Sequence, residues 1–226
     1  MDVAQRRQAT EAGSQHVRSR DAEHGAEDAK PRHVPATRRS SIILLNGPSS
    51  AGKSSLCRAL VPLLESPFLH LSSDQLIQSG ILPPLDAAAR DGEWAWARFA
   101  PRFFAGYHRA VAGFAAAGNH AVVEHVLISQ HWYEDCLRVW SEFDVFFVGV
   151  QCALTELEAR ERARGDRAIG TAREHVEQGV HARGEYDLVI DTSQGAVAEH
   201  AARIRSAFGA RPRPSSFERA LRRRCP

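Results

Sequence analysis

Short apolar runs alternate along the middle of the chain with longer amphipathic segments, a pattern typical of a parallel sheet flanked by helices. The apolar runs predict five strands, at residues 41–46, 68–72, 120–125, 145–150 and 186–191. The amphipathic segments predict helices at residues 53–65, 93–117, 130–140, 154–164, 172–181 and 197–208. Because strands and helices alternate, we expect an α/β fold: a doubly wound parallel five-stranded sheet with helices on both faces.

The two ends of the chain lack this pattern. Residues 1–40 are polar and charged and have no sustained apolar period, which predicts a disordered N-terminal tail. Residues 209–226 are basic and contain prolines, and we expect a solvated C-terminal tail there. A partner-binding basic helix at Phe217–Arg224 is the alternative. The folded domain is therefore predicted to span residues 41–208.

The loop after the first strand fits the phosphate-binding pattern G-x-x-x-x-G-K-[ST]. Its fixed positions are Gly47, Gly52, Lys53 and Ser54, and it lies between a predicted strand and a predicted helix, as the motif requires. Glycines let the backbone curl so that N–H groups point at phosphate oxygens, and the helix N-terminus adds partial positive charge. We expect nucleotide contacts from Gly47, Pro48, Ser49, Ser50, Ala51, Gly52, Lys53, Ser54 and Ser55.

This loop also predicts the cofactors, ATP and Mg²⁺. The Lys53 ammonium can bridge the outer phosphates, and the Ser54 hydroxyl can ligate Mg²⁺. Glu124 closes the third strand, where a carboxylate can join the metal shell directly or through water. For His125, the next residue, we expect a hydrogen-bonded or surface histidine rather than a ligand.

Asp74 follows the second strand, at the sheet edge where the phosphate loop is expected. A carboxylate there can act as the general base that takes a proton from an acceptor hydroxyl. The same residue can instead be a helix N-cap, since Ser72-Ser73-Asp74 precedes the apolar Leu76-Ile77. The residues alone leave both readings open.

A cluster of arginines in and just after the fourth predicted helix offers charge for a transferring phosphoryl group. Arg160 and Arg162 lie four residues after glutamates, a spacing typical of solvated helix pairs. Arg164 and Arg167 flank Gly165, a helix end where a lid could hinge, and they are the better catalytic candidates.

Composition narrows the classes of function. The chain has 226 residues and a formal net charge of +2, which gives no strong electrostatic case for nucleic acid or a membrane surface. Its four cysteines form no C-x-x-C pair, which argues against a zinc or disulfide framework and favours a reducing cytoplasm. No apolar run reaches membrane-spanning length, and no secretory signal is visible.

The motifs together resemble the chloramphenicol phosphotransferase family of P-loop kinases over about residues 41–208. The similarity is carried by I-I-L-L-N-G-P-S-S-A-G-K-S (42–54), D-Q-L-I (74–77), F-D-V-F-F-V-G-V-Q-C (143–152), R-E-R-A-R-G-D-R (160–167) and E-Y-D-L-V-I-D-T (185–192). The resemblance implies a P-loop kinase-like fold and ATP-dependent phosphorylation of an antibiotic hydroxyl. It also implies Asp74 as catalytic base and Arg164 and Arg167 as phosphate-facing residues.

The sequence departs from the family pattern in two places. The family form has two acidic residues at the end of the third strand, where this chain has Glu124 and His125. The segment 79–100, which should shape the acceptor pocket, shows little similarity. We therefore expect a small-molecule O-phosphotransferase acting on chloramphenicol or a related compound. A metabolite or toxin-like kinase, or a non-catalytic ATP-dependent regulatory module, is the alternative.

Overall fold

The computed structural model describes residues 39–86, 91–165 and 168–224. Its single described sheet has five parallel strands in the order β2-β3-β1-β4-β5. In chain order the strands are β1 Ser41–Asn46, β2 Phe68–Ser72, β3 His120–His125, β4 Asp144–Gln151 and β5 Leu188–Asp191. The predicted α/β fold is confirmed.

Eight helices surround the sheet in the described residues. They are α1 Lys53–Leu60, α2 Ser73–Gln78, α3 Trp96–Ala116, α4 Gln130–Val139, α5 Leu154–Arg164, α6 Thr171–Glu177, α7 Val197–Gly209 and α8 Ser216–Arg224. Within the described part of the chain, none of them combines the length and apolar composition that crossing a membrane requires. The chain builds β1, β2 and β3 on one side and then crosses to β4 and β5, so the loop after β1 lies where the strand order switches.

Two hydrophobic cores lie on opposite faces of the sheet. Successive strand residues point to opposite faces, so Ile42 and Leu44 of β1 join one core while Ile43 and Leu45 join the other. Helices α3, α4 and α8 contribute to the first core, and α1, α5 and α7 contribute to the second. Coverage on both faces explains why the central strands read as continuous apolar runs.

Several predicted elements are longer than the helices and strands observed. Helix α1 ends at Leu60 and passes into a 3₁₀ turn, Val61–Leu63, instead of reaching residue 65. The cause is Pro62, which has no N–H to donate and whose ring clashes with a helical carbonyl four residues earlier. Helix α6 ends at Glu177 rather than residue 181, and β5 begins at Leu188 rather than residue 186.

The expectation of a solvated C-terminal tail is wrong for the described residues after α7. Arg211 and Arg213 pair with Asp144, at 2.5 and 2.6 Å, and α8 then packs against the sheet. Phe217 of α8 is 2% exposed. Its ring lies 5.3 Å from that of Phe147 and 6.4 Å from that of Trp140, measured between centroids. The predicted N-terminal tail, apart from residues 39 and 40, lies outside the described residues.

We expect Phe217→Ala to lower the free energy of unfolding by about 3–5 kcal/mol, because it removes a buried ring and leaves a cavity between α8 and the sheet. Phe114→Ala is the matched control, since Phe114 is 45% exposed on α3. Urea unfolding of both variants measures the difference. Equal and small losses would mean that α8 is not part of the folded core.

Candidate active site

The loop between β1 and α1 has the backbone geometry that a phosphate-binding loop needs. Gly52 has φ 84° and Ser50 has φ 62°, both left-handed, so the loop curls tightly before α1 begins at Lys53. A Cβ atom built on Gly47 would lie 2.3 Å from the carbonyl oxygen of Val150, so only glycine fits there. Backbone strain of this kind in a non-glycine residue is typical of functional loops.

Lys53 and Ser54 point from the first turn of α1 into this region. The Lys53 ammonium is buried and donates to the carbonyl oxygens of Gly47 and Pro48 at 2.8 and 2.7 Å. The Ser54 hydroxyl donates to Oε2 of Glu124 at 2.7 Å. This hydrogen bond joins the phosphate loop to the end of β3 and holds the two residues predicted for the metal shell side by side.

The second oxygen of Glu124 accepts a hydrogen bond from a histidine that sequence reasoning missed. Nε2 of His70, on β2, lies 2.5 Å from Oε1 of Glu124. Burial on its own raises the pKa of Glu124, but the hydrogen bonds from His70 and Ser54 and the charge of Lys53 outweigh it. The pKa of Glu124 therefore lies below its ordinary value. Glu124 is thus an ionised carboxylate with both oxygens oriented.

A signal for His70 was present in the sequence. It is the polar residue in the otherwise apolar run Phe68–Leu71, and alternation puts it on the same face as Ser72. Ser72 is aligned with Glu124 in the parallel β2–β3 pair. Only the strand order, however, reveals that β2 and β3 are neighbours.

Asp74 is the second residue of α2, and Ser72 occupies the N-cap position of that helix. The reading of Asp74 as the cap is therefore wrong, although a carboxylate in a first helical turn still gains from the helix dipole. Asp74 lines a cleft of about 460 Å³ together with Lys53, Ser54, Glu124 and other residues of the phosphate loop. The structure thus brings the predicted base and the predicted phosphate and metal ligands to one cleft.

Among the predicted arginines, Arg164 is the last residue of α5 and also lines this cleft. Arg167 lies outside the described residues. Arg160 turns elsewhere: its Nη2 donates to the carbonyl oxygen of Thr192 at 2.7 Å, and its Nε donates to Glu156 at 2.9 Å. The i,i+4 pairing predicted for Arg160 is confirmed.

The connection from α5 to α6 is tied down by Glu161, a second residue that sequence reasoning missed. Glu161 is 1% exposed, and its carboxylate accepts from the N–H groups of Gly170 and Ala172 at 2.7 and 2.9 Å. It thereby satisfies donors at the start of α6. Because α5 is rich in charged residues, its sequence gave no sign that this one carboxylate turns inward.

We expect Glu161→Ala to lower the free energy of unfolding by about 2–4 kcal/mol, because two charge-assisted hydrogen bonds are lost. Glu156→Ala is the matched control, since its exposed i,i+4 pair with Arg160 contributes only about 0.3–0.5 kcal/mol. Urea unfolding reports the global effect, and hydrogen exchange at residues 168–177 reports local opening. Unchanged values in both would refute the anchoring role.

Helix α6 also contacts the phosphate loop directly. The N–H of Ser49 donates to Nδ1 of His175 at 3.1 Å. A backbone donor of the loop is therefore held by a side chain of the element that Glu161 anchors. Ser49 and His175 are 126 residues apart in the sequence, and no local pattern indicated this contact.

His125 is a hydrogen-bonded interior histidine, as expected, and it does not face the cleft. Its Nδ1 accepts from the N–H of Val126 at 2.7 Å, so its proton is on Nε2, which lies 2.8 Å from Nε2 of His108. Nδ1 of His108 then donates to Asp135 at 2.8 Å. Burial lowers the pKa of both imidazoles, so this His125–His108–Asp135 chain contains two neutral rings.

Half-buried aromatic side chains cover the first half of α3 and the start of α4. Neighbouring ring centroids lie 4.1–6.4 Å apart through this group, which consists of Trp96, Phe99, Phe103, Phe104 and Trp132. A groove of about 510 Å³ borders it, lined by Trp94 and Phe99 and by Arg98 and Arg102. The aromatic side chains of α3 are thus partly core, through Tyr107, and partly accessible wall.

A family model agrees with this site. The model described as chloramphenicol phosphotransferase-like protein matches residues 40–209, which include the phosphate loop, Asp74, Glu124 and Arg164. The chain belongs to this family. The resemblance is confirmed. The chain is an O-phosphotransferase with the P-loop kinase fold, and its acceptor is an alcohol group.

Curated relatives agree with the family match. Two Mycobacterium tuberculosis proteins, from strains CDC 1551 and H37Rv, are provisionally named O-phosphotransferases. Each is 33% identical to this chain, and the match covers 80% of this chain and 88% of the relative.

Solved structures support the fold. An APS kinase from M. tuberculosis in complex with AMPPNP and APS superimposes with a TM-score of 0.56 at 15% identity, covering 76% of this chain and 99% of that one. Shikimate kinase from Acinetobacter baumannii in complex with shikimate gives 0.51 at 18% identity, covering 76% and 94%. A Deinococcus radiodurans tunicamycin resistance protein gives 0.54 at 18%, covering 76% and 96%.

Proposed function

We propose that this protein uses ATP and Mg²⁺ to phosphorylate a hydroxyl group of a small molecule, with chloramphenicol or a related antibiotic as the first acceptor to test. The observation that carries the proposal is the shared cleft. It is lined by the phosphate loop, by a carboxylate suited to a metal and by a second carboxylate, Asp74, suited to a proton.

The phosphate end of the cleft suits a nucleoside triphosphate. Backbone N–H groups in the first turn of α1 offer donors to phosphate oxygens, and Lys53 adds a positive charge at the loop. Ser54 and Glu124 supply an oxygen pair on one side of this loop, the donor type that Mg²⁺ prefers. Bound Mg²⁺ would offset negative charge on the outer phosphates.

The chemical step assigns the proton to Asp74. The acceptor oxygen forms a bond to the γ-phosphorus while the bond from that phosphorus to the β,γ-bridging oxygen breaks, and ADP leaves. The acceptor hydroxyl loses its proton to the Asp74 carboxylate. Arg164, and Arg167 by sequence position, would balance charge on the transferring phosphoryl group.

The acceptor class is supported by two observations. The family description carries chloramphenicol in its name, and α3 carries half-buried aromatic side chains, Phe99 and Phe103 among them, of the kind that line pockets for aromatic ligands. A metabolite or toxin-like kinase would use the same phosphate site with a different acceptor. A regulatory module would bind ATP without transferring its phosphate.

A screen with radiolabelled ATP tests these alternatives. Purified protein is incubated with Mg²⁺ and a panel of hydroxylated compounds, including chloramphenicol, and both ADP release and labelled product are measured. We expect acceptor-stimulated ADP release with a labelled product that appears in equal amount. Nucleotide binding without stimulation by any acceptor would favour the regulatory module. A turned-over acceptor that gives no antibiotic protection in cells would favour the metabolite kinase.

A further inference from the structure

We propose that Cys57, His70 and Glu124 form a Zn²⁺ site beside the part of the cleft where Glu124 would serve Mg²⁺, and that Zn²⁺ bound there excludes Mg²⁺. The zinc site stands on the geometry of these three residues alone. The competition with Mg²⁺ also rests on the proposed function, because it requires Glu124 to serve the nucleotide metal.

Three ligand atoms of different chemistry meet at this point. The Cys57 sulfur, a His70 ring nitrogen and a Glu124 carboxylate oxygen all lie within 4.8 Å of one another. A tetrahedral zinc ion has ligands at about 2.0–2.3 Å, which puts neighbouring ligand atoms about 3.3–3.8 Å apart. A pair at 4.8 Å would have to approach by about 1.0–1.5 Å, and the hydrogen-bonded His70–Glu124 pair, now at 2.5 Å, would have to separate by about 1 Å, to enclose the ion.

The fold, rather than a sequence motif, assembles these ligands. Cys57 lies three residues after Ser54 on α1, so the two side chains share a helix face towards β3. His70 comes from β2 and Glu124 from β3, which are adjacent strands. Because the three residues are far apart in the sequence, cysteine spacing argued against a zinc site that only the sheet order reveals.

The donor set favours zinc over magnesium. Sulfur and imidazole nitrogen suit Zn²⁺, whereas Mg²⁺ prefers oxygen ligands. The burial of Cys57 and the neighbouring Glu124 raise the pKa of the thiol, so Zn²⁺ binding would displace a proton from sulfur to solvent. His70 and Glu124 line the cleft, which provides an entry path for the ion.

Supporting contacts already orient two of the ligands. Nδ1 of His70 faces the side-chain amide of Gln75 at 3.4 Å, and a turn of that amide would let its oxygen accept from Nδ1–H while Nε2 binds the metal. The other Glu124 oxygen is held by Ser54 at 2.7 Å. Such second contacts fix the ring and carboxylate orientation of metal ligands.

A second cluster in the described residues has a similar composition but a different hydrogen-bond pattern. His108, His125 and Cys136 also have ligand atoms within 4.8 Å of one another. Their ring nitrogens, however, are used in the chain that runs from Val126 N–H through His125 and His108 to Asp135. A metal there would break this chain of three hydrogen bonds, whereas at Cys57 it would replace only the His70–Glu124 hydrogen bond, so Cys136 provides the matched control.

The test uses the full chain, freed of metal with a chelator, and Co²⁺ as a spectroscopic substitute for Zn²⁺. We expect a thiolate-to-cobalt absorption band in the wild type and in Cys136→Ser, and its loss in Cys57→Ser and Cys57→Ala. Competition with a chromophoric chelator should show Zn²⁺ affinity at least about 10–100-fold weaker in the Cys57 variants. Thermal melts with chelator identify any variant that does not fold, and His70→Gln then provides a second test of affinity.

Turnover separates the two parts of the proposal. Zn²⁺ should inhibit acceptor-dependent ADP release in the wild type, excess Mg²⁺ should relieve the inhibition, and the Cys57 variants should be at least about tenfold less sensitive. A cobalt band that is absent, or that is lost equally in Cys136→Ser, would overturn the zinc site while leaving the kinase intact. Thiolate-bound cobalt without any effect on Mg²⁺-dependent turnover would overturn the competition and Glu124 as the magnesium-shell residue.

Discussion

Asp74→Asn is expected to slow acceptor phosphorylation by roughly 10²–10⁴-fold, because asparagine cannot take the proton of the acceptor hydroxyl. Asparagine has nearly the size and shape of aspartate, so the cleft that it lines together with Ser54 and Glu124 should keep its form. ATP affinity should stay within a few-fold, since the phosphates bind at the β1–α1 loop. Stability should fall by no more than about 1 kcal/mol, the scale of a carboxylate's interaction with a helix dipole.

The measurement is steady-state ADP release with the acceptor that the screen identifies, together with nucleotide affinity and a thermal melt. Glu142→Gln is the matched control, because Glu142 is an exposed carboxylate just before β4. It lies at the amino-terminal ends of the strands, whereas the cleft lies at their carboxyl ends. If Asp74→Asn and Glu142→Gln turn over equally fast, Asp74 does not act as the base.

Lys53→Met should reduce turnover by about 10²–10³-fold, the usual cost of removing one preorganised electrostatic contact to a transition state. Its ammonium is buried at the loop, 2.8 and 2.7 Å from the carbonyl oxygens of Gly47 and Pro48. Methionine fills similar space without the charge, so nucleotide affinity should fall as well while the fold survives.

Arg205→Met is the control for Lys53→Met, since it also removes one positive charge but lies on α7, beside Glu65. Nucleotide affinity by calorimetry, turnover and a thermal melt should be measured on both variants. Unchanged affinity and turnover in Lys53→Met, with a normal melt, would contradict the assignment of the phosphate loop.

Features that depend on the local sequence could be predicted from it. The strands β1, β2 and β3 have the predicted boundaries, and the loop from Gly47 to Ser54 has the predicted backbone form. These features follow from apolar runs and from glycine positions, which local sterics decide. The position of Glu124 at the carboxyl end of β3 could be predicted for the same reason, because it follows an apolar run.

Contacts that depend on the order of the strands, or on which elements lie side by side, could not be predicted from the sequence. His70 reaches Glu124 only because β2 lies next to β3, and Glu161 turns inward only because α6 starts beside it. The contact from Ser49 to His175 likewise joins distant segments. Periodicity describes one element at a time, so it cannot tell which polar side chain will meet a partner from another element.

The packing of α8 against the sheet was missed for a related reason, although a helix at Phe217–Arg224 was the alternative to a solvated tail. Its many arginines made the segment resemble a solvated tail, although Phe217 and Ala220 lie three residues apart on one helix face. Two apolar residues in a basic segment give a weak pattern. These two residues are buried because α8 covers aromatic side chains of β4 and α4, a surface that the sequence of α8 alone does not reveal.

The docking of α8 means that the family boundary is not the boundary of the folding unit. Asp187 accepts from the N–H and hydroxyl of Ser216 at 2.7 and 2.9 Å, and also from the N–H of Phe147 at 2.9 Å. A chain shortened to residue 209, where the family match stops, would lose two of these three donors and uncover the aromatic rings beneath Phe217. Such an exposed apolar patch promotes self-association, so a protein trimmed by homology alone should precipitate more readily than the full chain.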